Sequence, residues 1–151
     1  MRLAPPQRLR WPVRSSNPSQ GAAMAEKKKI LVVDDNLPFI ELTKGMFGAD
    51  YELETATNGF EGLGKAITFV PDLVMLDVNM PGITGIEFAR KLSANPATAG
   101  IPIVVITASD YNSMTESLLR NEHNVKIFMT KLSPVETIRE KVETVITRQK
   151  P

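Results

Sequence analysis

Apolar residues in this chain come in short runs that stop at a polar or charged residue, and the runs alternate with segments whose apolar positions lie three and four apart. The first pattern predicts strands buried on both faces, as in a parallel sheet covered by helices, and the second predicts the helices. Ile30–Val33 is the first such run and stops at Asp34, Asp35 and Asn36, with Asn36 placed to cap a helix over Leu37–Phe47. Tyr51–Thr55 predicts a second strand, and Asn58-Gly59 opens a helix whose apolar face is expected to be Phe60, Leu63 and Ile67. Leu73–Leu76 runs directly into Asp77. After the Pro81-Gly82 turn a helix is expected over Thr84–Ser93, ended by Asn95-Pro96. Ile101–Ile106 predicts the fourth strand, followed by Thr107, Ala108 and Ser109, and Ser113–Asn121 the fourth helix. Val125–Met129 predicts the fifth strand, which leads to Thr130 and Lys131. Ser133, Pro134 and Glu136 form an expected capping box for the last helix, with Val135, Ile138, Val142 and Val145 as its apolar stripe.

Five strands alternating with five helices is the pattern of βαβ units with right-handed crossovers, so a three-layer α/β fold with a parallel sheet is expected. Every strand then points the same way. Asp34 and Asp35, Asp77, Thr107 and Lys131 therefore project from one sheet edge, where open α/β sheets bind ligands. Two unit charges about 4 Å apart repel by roughly 4 kcal/mol at an effective dielectric near 20, so three carboxylates need positive company. Lys131 supplies one charge. A divalent cation suits the rest, and oxygen ligands favour magnesium, with manganese possible. With that neutralisation Asp77 can act as a carboxylate nucleophile toward phosphorus, with Thr107 as a hydrogen-bond donor to an oxygen. The alternative is that the acids only form turns and Lys131 is their surface counter-charge.

Composition narrows the classes. The 151 residues suit one domain, and the absence of cysteine excludes disulfides and thiolate chemistry. Residues 1–23 hold four Arg and no acid, leaving 14 basic and 17 acidic residues from Met24 onward. A mildly acidic domain argues against direct nucleic-acid binding. No apolar run approaches a membrane span, and a cytoplasmic location is expected. Residues 1–25, with Pro5, Pro6, Pro12 and Pro18, are expected to be a disordered leader or tail that precedes a domain over 26–149. His123 is the only histidine and is expected to be exposed; Lys27–Lys29 reads as a solvated charge run. Gly59, Gly62 and Gly64 lack the dinucleotide-binding order, and no Walker motif is present.

Ile-Leu-Val-Val-Asp-Asp-Asn at 30–36, Asp-Val-Asn-Met-Pro-Gly-Ile-Thr-Gly at 77–85, Ile-Thr-Ala-Ser at 106–109 and a lysine after the fifth strand together resemble the receiver domain of two-component response regulators, over Lys29 to about Arg148. The resemblance implies a flavodoxin-like (βα)5 sandwich of strand order 2-1-3-4-5. It implies Asp77 as phosphoryl acceptor, and Asp34, Asp35, Asp77 and the Asn79 backbone carbonyl as magnesium ligands. Thr107, Ala108 and Lys131 would bind the phosphoryl group, with Thr107 as switch hydroxyl and Phe128 as switch aromatic; Phe128 also reads as a plain core aromatic. The implied partners are a histidine kinase or histidine phosphotransfer protein, or a small phosphodonor, and a protein target met through the helix 4, strand 5, helix 5 face. A stand-alone receiver that catalyses only its own phosphorylation and dephosphorylation is expected. A phosphorylation-independent binding module and a receiver piece of a larger regulator or hybrid kinase are the alternatives. A phosphohydrolase would need an acid where Asn79 stands. Leu132 occupies the position after the lysine where the family usually has proline, and residues 120–124 replace its usual Gly-Ala, so the loop at Lys131 and the exit of helix 4 are expected to be individual.

Overall fold

The computed structural model describes residues 27–108 and 113–148. The expected leader and Ser109 lie outside them. The elements are β1 (Lys29–Val33), α1 (Leu37–Phe47), β2 (Glu52–Ala56), α2 (Gly59–Phe69), β3 (Leu73–Leu76), α3 (Gly85–Ala94), β4 (Ile103–Thr107), α4 (Ser113–Arg120), β5 (Val125–Thr130) and α5 (Val135–Arg148). All strand pairs are parallel and the order is β2-β1-β3-β4-β5.

Alternation along each strand divides the core in two. Leu31, Val33, Val74, Leu76, Ile103 and Val105 face one way and pack with Ala66, Phe88, Leu92 and Leu119 from α2, α3 and α4. Ile30, Val32, Leu73, Met75, Val104 and Ile106 face the other way and pack with α1 and α5 through Phe39, Phe47, Ile138 and Val142. In the inner strands β1, β3 and β4 neither face is wet, which is why they appear in the sequence as apolar runs, whereas the edge strands β2 and β5 carry the exposed Glu52 and Lys126.

Two local expectations are corrected. In α2 the residues turned inward are Gly59, Gly62 and Ala66, whereas Phe60 and Ile67 are 63% and 49% exposed and only Leu63 reaches the core. The reason is distance. A Cβ on Gly62 would stand 2.9 Å from Val33 Cγ2 and 3.0 Å from Phe88 Cε2, and one on Gly59 would overlap Ile83. The helix lies too close to the sheet for its large side chains to face it. At the last helix, the carbonyl of Pro134 accepts from the Ile138 N–H and the helix begins at Val135, so Ser133 sits outside the capping position. The capping box occurs instead at α3, where Thr84 Oγ1 accepts from the Glu87 N–H and Glu87 Oε1 accepts from the Thr84 N–H.

Candidate functional site

Strand register brings the acids together. Val33 pairs with Leu76 as the last residues of β1 and β3, so the next residues, Asp34 and Asp77, leave the sheet side by side. Their backbones stay in the ladder: Asp77 N–H donates to Val33 O at 3.0 Å, and Asp34 N–H to Ala56 O at 2.9 Å. Carboxylate oxygens of Asp34, Asp35 and Asp77 all lie within 4.8 Å of one another, with Asp34 and Asp77 buried and Asp35 exposed.

Across the crevice, Thr107 pairs with Thr130, and Lys131 N–H donates to Thr107 O at 2.8 Å. Lys131 follows the Ile127 and Met129 side of β5, which faces α1 and α5. Its Nζ stands 2.8 Å from Asp34 Oδ2, 3.8 Å from Asp77 Oδ1 and 4.8 Å from the centre of the Phe39 ring. The described backbone contains no cis peptide bond, so Lys131–Leu132 is trans, and Leu132 is 78% exposed. The lysine reaches the acids without the family's proline.

The electrostatics follow from burial. Burial, reinforced by the charge of Asp34, pushes the Asp77 carboxyl up to about 6, while Lys131 and Thr107 pull it part of the way back. Burial also raises Asp34, against the opposing pull of Lys131 and of the Asn36 N–H, which donates to Asp34 Oδ1 at 2.9 Å. Thr107 Oγ1 is buried near enough to Asp77 to favour its ionised carboxylate, yet among the described residues it meets no partner at full hydrogen-bonding geometry. A buried hydroxyl without a partner costs about 1–3 kcal/mol, so this position favours an incoming acceptor oxygen.

The remaining predicted site residues fall around this crevice. Asn79 and Ala108 are exposed at its rim. Phe128 is buried in β5 on the α4 side, and the Arg120 guanidinium carbon stands 5.4 Å from the centre of its ring. His123 is exposed, at the far side of α4 from the acids in sequence, and adds nothing to them. Three contributors escaped the sequence reading. Phe39 is indistinguishable in the sequence from any core position of α1. Asn36 was seen only as a cap, although it also donates to Asp34. Gly85 packs so tightly that a Cβ would stand 3.3 Å from Asp77 O; its signal was a glycine at a helix start, where most residues are tolerated.

Oxygen donors of three acids beside a lysine and an unpartnered hydroxyl can hold a hard cation and an anion together. Comparison with known proteins gives this arrangement a family. The response regulator receiver domain matches residues 30–143. Response regulator PleD of Caulobacter vibrioides is 43% identical over 83 residues, 54% of this chain and 18% of that protein. Protein PilH of Pseudomonas aeruginosa is 28% identical over 119 residues, 78% of this chain and 97% of that protein. The chain thus spans under a fifth of PleD and nearly all of PilH. Among solved structures, a CheY-like receiver domain protein of Methanospirillum hungatei superposes with a TM-score of 0.74 at 23% identity, covering 81% of this chain and 95% of that one, which bears on the fold. Chemotaxis protein CheY4 of Vibrio cholerae gives 0.72 at 26% identity, covering 80% and 99%. The Asp34, Asp35 and Asp77 cluster has the make-up of a receiver's phosphoacceptor pocket, and the chain that carries it belongs to the response regulator receiver domain family.

Proposed function

We propose that the receiver, over residues 26–149, takes a phosphoryl group onto Asp77 from a phosphohistidine of a histidine kinase or phosphotransfer protein, or from a small donor such as acetyl phosphate. One Asp77 oxygen attacks phosphorus. The bond from phosphorus to the donor's nitrogen or oxygen breaks, and its electron pair leaves with the donor. The observation that carries this reading is the buried Thr107 hydroxyl beside Asp77, unpartnered among the described residues, with the Lys131 ammonium 3.8 Å from the same carboxylate.

Asp34, Asp35, Asp77 and the Asn79 carbonyl hold magnesium, for which manganese can substitute. The ion supplies the positive charge that lets an anionic carboxylate approach an anionic phosphoryl group. Thr107, Ala108 and Lys131 receive the phosphoryl oxygens, with Thr107 as hydrogen-bond donor and Lys131 as cation. When the Thr107 hydroxyl turns to the new group, the Phe128 ring, on the same face of the β4–β5 pair, moves into the space it leaves, and the α4, β5 and α5 face presents a changed surface to a protein target. Among the described residues no helix is long and apolar enough to cross a membrane, and the proposed setting is the cytoplasm.

The test is the location of the label. After reaction with acetyl phosphate and magnesium, borohydride reduces an acyl phosphate to an alcohol, and peptide mapping should find that mark at residue 77. A mark at Asp34 or Asp35 instead would refute the assignment.

A further inference from the structure

We propose that Phe39 is the positioning residue of this site: the face of its ring holds the Lys131 ammonium in the crevice, ready for an incoming phosphoryl group. The inference rests on the reading of Asp77 as the acceptor. Four residues close a loop of contacts. Asn36 N–H donates to Asp34 Oδ1 at 2.9 Å, and Phe39 N–H donates to Asn36 Oδ1 at 2.9 Å. The Phe39 ring lies 4.8 Å from Lys131 Nζ, and Lys131 Nζ returns to Asp34 Oδ2 at 2.8 Å. The helix cap that starts α1 therefore also fixes the ring, and the ring and Asp34 together fix the ammonium.

The loop that carries Lys131 could not do this alone. Lys131 N–H is anchored on Thr107 O and Leu132 N–H on Thr130 Oγ1, but the ammonium lies four methylenes from that backbone. Leu132 faces solvent and gives no apolar support. An aromatic face within about 6 Å attracts a cation through its quadrupole, and most strongly where both are shielded from water, as here with Phe39 8% exposed. A leucine at 39 would fill much of the volume without offering that attraction. Holding the charge in place beforehand removes a reorganisation that the transfer would otherwise require.

Three proteins decide it: wild type, Phe39→Leu and Phe39→Tyr. At saturating magnesium, phosphoryl uptake from acetyl phosphate, followed by intact mass, should slow about threefold to tenfold in Phe39→Leu, the range that a cation–ring contact of ordinary strength gives. Phe39→Tyr should keep the wild-type rate. Magnesium affinity, measured by calorimetry, should stay within about twofold in both, as the carboxylates are untouched. In the NMR spectrum of unphosphorylated wild type, the Lys131 Hε protons should lie upfield of ordinary lysines through the ring current, lose that shift in Phe39→Leu and keep it in Phe39→Tyr. A Phe39→Leu rate equal to or above wild type overturns the inference, as does a Phe39→Tyr rate as slow as that of Phe39→Leu. If Phe39→Leu does not fold, an unshifted Lys131 Hε in wild type overturns it alone. Wild type that takes up no phosphoryl group defeats the acceptor reading instead, and the ring-current result still stands separately.

Discussion

Lys131 lies closer to Asp34 than to the acid proposed to react: its Nζ is 2.8 Å from Asp34 Oδ2 and 3.8 Å from Asp77 Oδ1. The buried Asp34 is thereby partly compensated, while burial and the charge of Asp34 push the Asp77 carboxyl up to about 6. Removing one partner of a buried pair leaves the other charge uncompensated. Lys131→Ala should therefore lose about 1–3 kcal/mol of stability at pH 7.5 in the presence of a chelator, by urea unfolding. At pH 4.5, below the value of about 6 to which Asp77 is raised, that acid takes up a proton and the loss should be smaller. Equal losses at both pH values would contradict the pairing.

Asp77 itself should cost stability when it ionises. Its carboxyl titrates near 6 in the fold against 3.8 in the unfolded chain, so between these values the folded state binds more protons. Stability contributed by the protonated form is complete below 3.8 and is lost as pH rises to about 6. A shift of that size corresponds to about 3 kcal/mol. Asp77→Asn should thus be more stable than wild type at pH 7.5 without magnesium, by up to that amount, and the advantage should vanish near pH 4. Thermal melts of the two proteins at both pH values test this, and an advantage that grows on acidification would be the wrong sign.

Gly85 and Gly64 should respond in opposite ways to alanine. A Cβ at 85 would stand 3.0 Å from Val78 Cα and 3.3 Å from Asp77 O, backbone atoms that cannot rotate aside. Gly85→Ala should destabilise by about 1–3 kcal/mol and slow phosphorylation, because the displaced backbone is that of Asp77. Gly64 lies on the outer side of α2 with nothing within 4 Å of its would-be Cβ, so Gly64→Ala should stabilise by about 0.5–1 kcal/mol through helix propensity. Chemical denaturation of both variants measures the contrast.

How much of this was legible depended on whether a residue's role was set by its own strand or by a neighbour. Ile30–Val33 and Leu73–Leu76 are apolar at every position, and with two wet-free faces that pattern had one reading. Because the strands are parallel, Asp34 and Asp77 could be placed at one edge before any register was known. The inward face of α2 could not be read, since Phe60 and Ile67 make the larger apolar stripe while closeness to Val33 and Phe88 demands the small one. Sequence spacing does not carry the distance between a helix and its sheet. Phe39 was hidden for a related reason: it meets Lys131 across 92 positions, through the packing of α1 against the end of β5, and a phenylalanine on an apolar stripe gives no sign of facing a charge.

The Leu132 position tests whether the family's usual proline would improve this loop. Leu132 N–H donates to Thr130 Oγ1 at 3.1 Å, and proline has no N–H to give. Leu132→Pro should lower stability by about 1 kcal/mol, the ordinary net worth of one hydrogen bond. Thermal unfolding at neutral pH measures it, and a higher midpoint would show that the loop tolerates the exchange in a way these contacts do not explain.

The central claim is that Asp77 accepts a phosphoryl group in a site that needs a divalent cation. Its most direct test is the intact mass of wild type and Asp77→Asn after incubation with acetyl phosphate, with magnesium and with chelator. The account predicts that wild type gains the mass of a single phosphoryl group only when magnesium is present and that Asp77→Asn gains none. Equal gain by Asp77→Asn, or equal gain in wild type with the metal removed, would contradict it.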